Sequence, residues 1–328
     1  MIYFDHAATT PVPQEVAQAV YDTLVSGWGN PSSQYPIGKQ ARDAVAAARE
    51  TIAAALGCKS EQFVFTSCGS ESDNWAVRLA LHQNRHVGKH IITTAVEHSA
   101  ILETCKTLEQ EGCSVTYLKP DKNGDITASQ VESALRDDTA LVTMMLVNNE
   151  TGCIFPVAEV AQLLKVKKSR ALLHTDAVQA VGAIPVDVKE LGVDMLSMSA
   201  HKFNGPKGMG ALYCRKGIWP QNLIDGGSQE ARHRAGTENV AGIAGMGKAL
   251  EMATEHLEER MAHEKVLRDY VIDRVLKNIP EARLNGGLEH RLPGNVNISF
   301  PGLEGETILL DLDMHGICAS TGSACNSD

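Results

Sequence analysis

The chain has 328 residues, 43% of them hydrophobic and 21% charged, with a formal net charge of -10. That length exceeds one ordinary small core and points to two unequal domains. The acidic balance argues against direct nucleic-acid binding, no apolar run reaches membrane-spanning length, and MIYFDHAATTPVP lacks the basic start and apolar stretch of a signal peptide. A small basic patch at Arg232, His233 and Arg234 is the local exception, and the cytoplasm is the expected compartment.

In chain order, residues 14–25 and 38–56 read as helices, the second ending at Gly57. QFVFTS (62–67) reads as a strand, followed by a helix to about residue 83. HIITTA (90–95) is a strand, residues 99–112 a helix stopped by Gly112, SVTYLKP a strand, and 127–135 a helix capped by Thr127. ALVTMMLV (140–147) is a continuous apolar strand, the pattern of one covered on both faces. VAEVAQLLKVKK is a helix, and ALLHTDA (171–177), MLSMSA (195–200) and GALYCRK (210–216) are strands. This alternation predicts a mostly parallel sheet with helices on both sides, whose ligands sit beyond the carboxyl ends of the strands. Polar clusters fall at those ends: SCGSES, EHS, NNET, TDAVQ and SAHK. Residues 239–279 read as one long helix or two, then ARLNG, VNISFPG, a helix at 304–314 and GICAST form a smaller α+β part.

Lys202 follows an apolar strand and precedes a Gly/Pro-rich turn, which suits a lysine that reaches a ligand. Taken alone, a solvated surface lysine is the plainer reading. Asp176 closes a buried strand and needs a partner, such as a pyridinium nitrogen; a turn or cap aspartate is the alternative. Gln179 lies three residues on, on the same side of the turn. FTSCGSES puts Gly69 and Ser70 at a strand-to-helix junction, where amides bind phosphate, although simple capping by Ser70 or Ser72 looks the same. His98 can stack on a planar ring or move protons, Asn148 and Asn149 can bond a ring substituent or a substrate carboxylate, and His201 can donate to phosphate.

The eight cysteines are Cys58, Cys68, Cys105, Cys113, Cys153, Cys214, Cys318 and Cys325. They form no C-x-x-C pair, so neither a metal site nor a disulfide framework is expected, and most should be small buried residues, Cys318 among them. Cys325, in ASTGSACNSD, is the exception. Its small neighbours predict an exposed, mobile loop that presents a nucleophilic thiol.

FDHAATTP, GNPSSQYPIGKQAR, FTSCGSES, EHSAILE, NNETG, HTDAVQAVG, SMSAHKFNGPKGMGALY, GGSQEARHRAGTENV, NGGLEHRLPGNVNISFPG and STGSACNSD occur in order along essentially the whole chain. Together they resemble NifS/IscS-type cysteine desulfurases of the class V aminotransferases. The resemblance implies an α/β fold of pyridoxal-phosphate (PLP) fold type I, with a mostly parallel seven-stranded sheet and a smaller α+β domain. Residues 1–13 would pack with the small domain, 14–250 would form the large PLP-binding domain and 251–328 the small one.

The resemblance also implies residue roles. Lys202 would be the covalent anchor of PLP, Asp176 the partner of its ring nitrogen, and His98 a ring stacked on it. Gln179 and Asn149 would contact the ring oxygen, Asn149 alternatively the substrate. Gly69, Ser70, Ser199 and His201 would hold the phosphate, and Thr237 would reach that of the partner subunit in a homodimer. Cys325 would take sulfur from L-cysteine as a persulfide, releasing alanine, and pass it to an iron–sulfur scaffold or tRNA-thiolation protein; it would meet a cluster only during transfer. Departures from the pattern are Cys68 for glycine, Ser70 for threonine, Leu146 for histidine, Ala235 for serine and Asp328 for glycine. Relatives continue past the catalytic cysteine into an R-x-S-x-G segment whose arginine grips the substrate carboxylate. These 328 residues do not include it, so weak substrate binding and poor turnover are expected of this chain alone, the small domain being incomplete. A selenocysteine lyase or aminotransferase, or a PLP-binding scaffold subunit without turnover, are the competing readings; the Cys325 loop argues against plain transamination.

Overall fold

The structure, a computed structural model, describes residues 1–218 and 221–322. The chain opens with β1 (Ile2–Tyr3), α1 (Gln14–Ser26) and α2 (Pro36–Ala55). Pro36 at the start of α2 suits a first turn that needs no amide donor. Alternation then sets in: β2 (Phe63–Thr66), α3 (Gly69–Gln83), β3 (His90–Thr94), α4 (Ser99–Gln110), β4 (Ser114–Leu118), α5 (Ala128–Ala134), β5 (Thr139–Thr143), α6 (Val157–Val166), β6 (Leu172–Asp176), α7 (Val188–Leu191), β7 (Met195–Ser199) and β8 (Gly210–Cys214). The chain continues with α8 (Val240–Glu255), α9 (Leu257–Asn278), β9 (Arg283–Leu284), β10 (Ile298–Ser299), α10 (Gly305–Met314) and β11 (Ile317–Cys318).

Among the described residues, seven strands form one sheet in the order β2-β8-β7-β6-β5-β3-β4. Strand β8 runs antiparallel to both neighbours, and the other pairings are parallel. The reason these segments are strands is visible in their burial. Val64, Ile91, Leu141, Leu172, Met195 and Leu212 face one apolar cluster, with Trp75 and Ile101 of α3 and α4. Their neighbours Phe63, Ile92, Val142, Leu173, Leu196 and Ala211 face the other, with Ile52 of α2 and Leu250 of α8. This period-two division puts apolar cover on both faces. The carboxyl ends of β2, β3, β5, β6 and β7 consequently share one edge.

Strand β5 is shorter than the apolar run at 140–147 predicts. Met144 to Val147 stay buried, but the backbone amide of Met145 is taken by both carboxylate oxygens of Glu97, each at 3.0 Å. A side chain thus takes the place of a strand partner on that side, while Met144 N and Leu146 N still bond His174 O and Asp176 O of β6. The region 239–279 is two helices, broken at His256. Two small sheets complete the structure: β1 pairs with β11 in parallel, and β9 with β10 antiparallel. Burial of the cysteines is less general than expected. Cys105, Cys153 and Cys214 are buried, whereas Cys58, Cys68, Cys113 and Cys318 are half-buried, so Cys318 is not a core position. It sits in a two-residue strand paired with β1. Arg234 does not contribute a free charge to a basic patch either, because Glu71 pairs with it at 3.0 Å.

Candidate active site

Every loop at the shared strand edge delivers a side chain to one cleft of about 150 Å³. Gly69 and Ser70 come from the start of α3 and His98 from the turn after β3. Asn149 follows β5, Asp176 and Gln179 lie at the end of β6, and Ser199, His201 and Lys202 end β7. Thr237 is exposed and is not among the cleft's lining residues. Cys325 lies outside the described residues; Ser320 and Gly322, just before it, line the same cleft.

The lysine turn is held by the N-terminal segment. Lys202 Nζ donates to the carbonyl of Ala7 and, at 3.0 Å, to that of Ala8. Gln179 Nε2 donates to Ala7 O at 3.0 Å. Thr10 donates to His201 O through its backbone amide (3.0 Å) and its hydroxyl (2.8 Å), and that hydroxyl accepts from Asn204 N at 2.7 Å. His201 Nδ1 lies 3.1 Å from Thr9 Oγ1. Burial, helped by the charges of Lys202 and Lys207, holds His201 down to about 4, so its ring is neutral near pH 7.

Asp176, Asp73 and Glu97 form a cluster of buried acids. Asp176 Oδ1 accepts from Val178 N at 2.9 Å. Burial raises its pKa, against the pull of that hydrogen bond and of the charge on Lys202. Asp73, one turn along α3 from Gly69, is 1% exposed and lines the cleft. Glu97 accepts from Thr94 Oγ1 at 2.8 Å as well as from Met145 N, and burial pushes it up to about 8. His98 Nδ1 accepts from Ala100 N at 3.1 Å, which leaves Nε2 to carry the proton of the neutral ring.

Asp73 and Glu97 were not singled out from the sequence. The available signals were the spacing of Asp73, four residues past Gly69 on one helix face, and the adjacency of Glu97 to His98. Asn148 and Asn149 divide their labour. Asn148 closes the turn, its Oδ1 accepting from Glu150 N (3.1 Å) and Thr151 N (2.8 Å) and its Nδ2 donating to Val96 O (3.0 Å). Only Asn149 lines the cleft. Helix α3 is capped by Cys68, whose Sγ accepts from Glu71 N at 3.4 Å, rather than by Ser70 or Ser72.

Two observations test whether a ring bearing a phosphate fits. A Cβ on Gly69 would come within 2.7 Å of Val178 Cγ2, so a side chain there would press on Val178, and glycine keeps the first amides of α3, which lack intrahelical partners, close to the cleft. Asp73 Oδ1 is buried without a hydrogen-bond partner among the described residues, and Asp176 lines the same cleft. A basic lysine, buried acids and an anion cradle form the donor set such a ring requires.

Fold and cleft together define a class of protein. The aminotransferase class-V model matches residues 2–327, and the chain belongs to that family. Within it, the chain is 50% identical over 326 residues to a cysteine desulfurase IscS of Methanosarcina thermophila, a match covering 99% of this chain and 80% of that protein. A solved NifS-like protein superposes with a TM-score of 0.94 at 40% identity, covering 98% of this chain and 87% of the other. The structure of SspA in complex with cysteine does so at 0.85 and 34%, covering 100% and 91%.

Proposed function

We propose that this chain is a PLP-dependent cysteine desulfurase, which moves the sulfur of L-cysteine onto Cys325 and releases L-alanine. The convergence of Lys202, Asp176 and the Gly69–Ser70 helix start on one cleft carries this reading. When bound, PLP supplies an electron sink for the substrate's α-carbon.

The chain's own residues divide the remaining work. Lys202 anchors the cofactor and is held in place by the Ala7 and Ala8 carbonyls. Asp176 would pair with the pyridine nitrogen, and its carboxylate would favour the protonated form of that nitrogen. His98 would stack on the ring, with Nε2 available to move a proton at the substrate. Gly69, Ser70, Ser199 and His201 would hold the phosphate; a neutral His201 would serve as a hydrogen-bond donor there, not as a countercharge. Gln179 and Asn149 orient the ring oxygen and substrate. The Cys325 thiol attacks the substrate sulfur, so one carbon–sulfur bond breaks, one sulfur–sulfur bond forms and alanine takes the proton. Ser320 and Gly322 at the cleft support that approach.

The finer reading is a homodimer in which Thr237 reaches the partner's phosphate, feeding a cytoplasmic iron–sulfur scaffold or tRNA-thiolation protein. The exposed apolar side chains of Tyr21, Leu24, Val25, Trp28 and Tyr35 support a covered face at α1 and α2; a monomer in sedimentation would refute it. We take residues 14–250 as the PLP-binding domain and 251–328 as the small one, with 1–13 joined to the latter through β1 and β11. Mass spectrometry after cysteine treatment tests the function. A persulfide on Cys325, lost in Cys325→Ser with the cofactor's visible band retained, is the expected result. A persulfide on Cys68 or Cys318 instead, or a visible band that survives Lys202→Ala, would overturn it.

A further inference from the structure

Asp73 has no part in the chemistry proposed above, yet it is the most deeply buried acid lining the cleft. Its carboxyl lies within hydrogen-bonding reach of that of Asp176. Among the described residues it makes no ion pair with an arginine or lysine, and its Oδ1 has no hydrogen-bond partner. The nearest basic group is His174, whose Nε2 lies 3.8 Å from Oδ1. That ring is already shared between Ser197 Oγ (2.9 Å) and Thr143 Oγ1 (2.8 Å), and burial holds it down to about 3, so it brings no charge. The Ser197 hydroxyl leans on the same carboxyl, and Glu97 and Cys68 are its other titratable neighbours.

Two buried carboxyls in contact, with no cation between them, cannot both ionise. The charge settles where it is best stabilised. Asp176 has the amide of Val178 and the nearby positive charge of Lys202, whereas Asp73 has only the Ser197 hydroxyl. The proton therefore belongs to Asp73.

We propose that Asp73 is a positioning residue: a permanently protonated acid that donates a hydrogen bond to Asp176 and fixes the negative charge on the carboxylate facing the pyridine nitrogen. This rests on the reading of Asp176 as the ring-nitrogen partner. Asp73 itself touches neither the substrate nor the reacting atoms.

Two readouts test it. The first is the infrared difference between wild type and Asp73→Asn, taken on the protein with and without PLP at neutral pH. The carbonyl band of a protonated carboxylic acid should disappear in the variant, in both forms. The second is PLP affinity by fluorescence titration. Asp73→Asn retains a donor to Asp176 and should bind within about threefold of wild type, whereas Asp73→Leu has none and should bind roughly tenfold or more weakly. An unchanged band, or an asparagine variant as damaged as the leucine one, overturns the proposal. Should Asp73→Leu fail to fold, the band and the affinity of Asp73→Asn decide it. Asp176→Asn separates the two levels: unchanged PLP affinity there overturns the ring-nitrogen reading and the functional half of this proposal, while the cofactor-free band still decides where the proton sits.

Discussion

Glu97→Gln tests the buried acid cluster through stability. Glu97 is fully inside the protein, and its folded-state value of about 8 stands against an ordinary 4.5. Folding therefore tightens its hold on a proton. A group of this kind contributes fully below about pH 4.5, its contribution falls as pH rises, and all of it is lost above about pH 8. Each pH unit in that window is worth about 1.4 kcal/mol, so wild type should lose on the order of 4 kcal/mol from this group between pH 5 and pH 8. Glutamine cannot ionise, and its oxygen still accepts from Thr94 and Met145. Buried groups such as His174, held down to about 3, titrate in both proteins and cancel in the comparison. Urea unfolding of PLP-saturated wild type and Glu97→Gln across this range should show the variant gaining on wild type by about 1.4 kcal/mol per unit. A stability difference that is flat with pH would mean that Glu97 is ionised in the folded protein, and the reasoning would fail.

Two further substitutions probe the surroundings. Gly69→Ala should push against Val178, whose Cγ2 a new Cβ would approach to 2.7 Å, and weaken PLP binding by roughly tenfold with little loss of stability, since α3 gains helix propensity; an unchanged titration would remove Gly69 from the phosphate cradle. Glu230 is 5% exposed in its side chain and joins Arg49 (2.6 Å) to the Phe65 amide (2.9 Å), so Glu230→Ala should cost about 3 kcal/mol in urea unfolding by stranding both partners, and a loss under about 1 kcal/mol would show that water replaces it.

The sheet was legible because its physics is local. Runs such as HIITT and MLSMS are buried on both faces, and glycine or a capping residue punctuates most of the helices. The end of β5 was not legible, because nothing in MMLV announces that Glu97, 48 residues earlier, will take the Met145 amide. The break at His256 was open for the same reason: LEMATEHLEER has helical periodicity throughout, and only the geometry of His256 divides it. Strands of two residues, such as β1 and β11, carry too little pattern to be seen at all.

The cleft divides along the same line. Residues at strand ends could be found, since a parallel sheet brings its carboxyl ends to one edge whatever the loops contain. What holds those residues could not. Lys202 is positioned by two backbone carbonyls about 195 residues away in sequence, and carbonyls leave no mark in an amino-acid pattern. Those carbonyls are themselves held in place, because Thr10 bonds the backbone of His201 and Asn204 while β1, a few residues earlier, pairs with β11. Ser320 Oγ also donates to Asp5 Oδ1 at 2.8 Å. One short N-terminal segment therefore ties the lysine turn to the stretch that leads toward Cys325. The proposed cofactor anchor and Ser320, which precedes the proposed sulfur acceptor in sequence, are thus linked through a segment that carries no chemistry of its own.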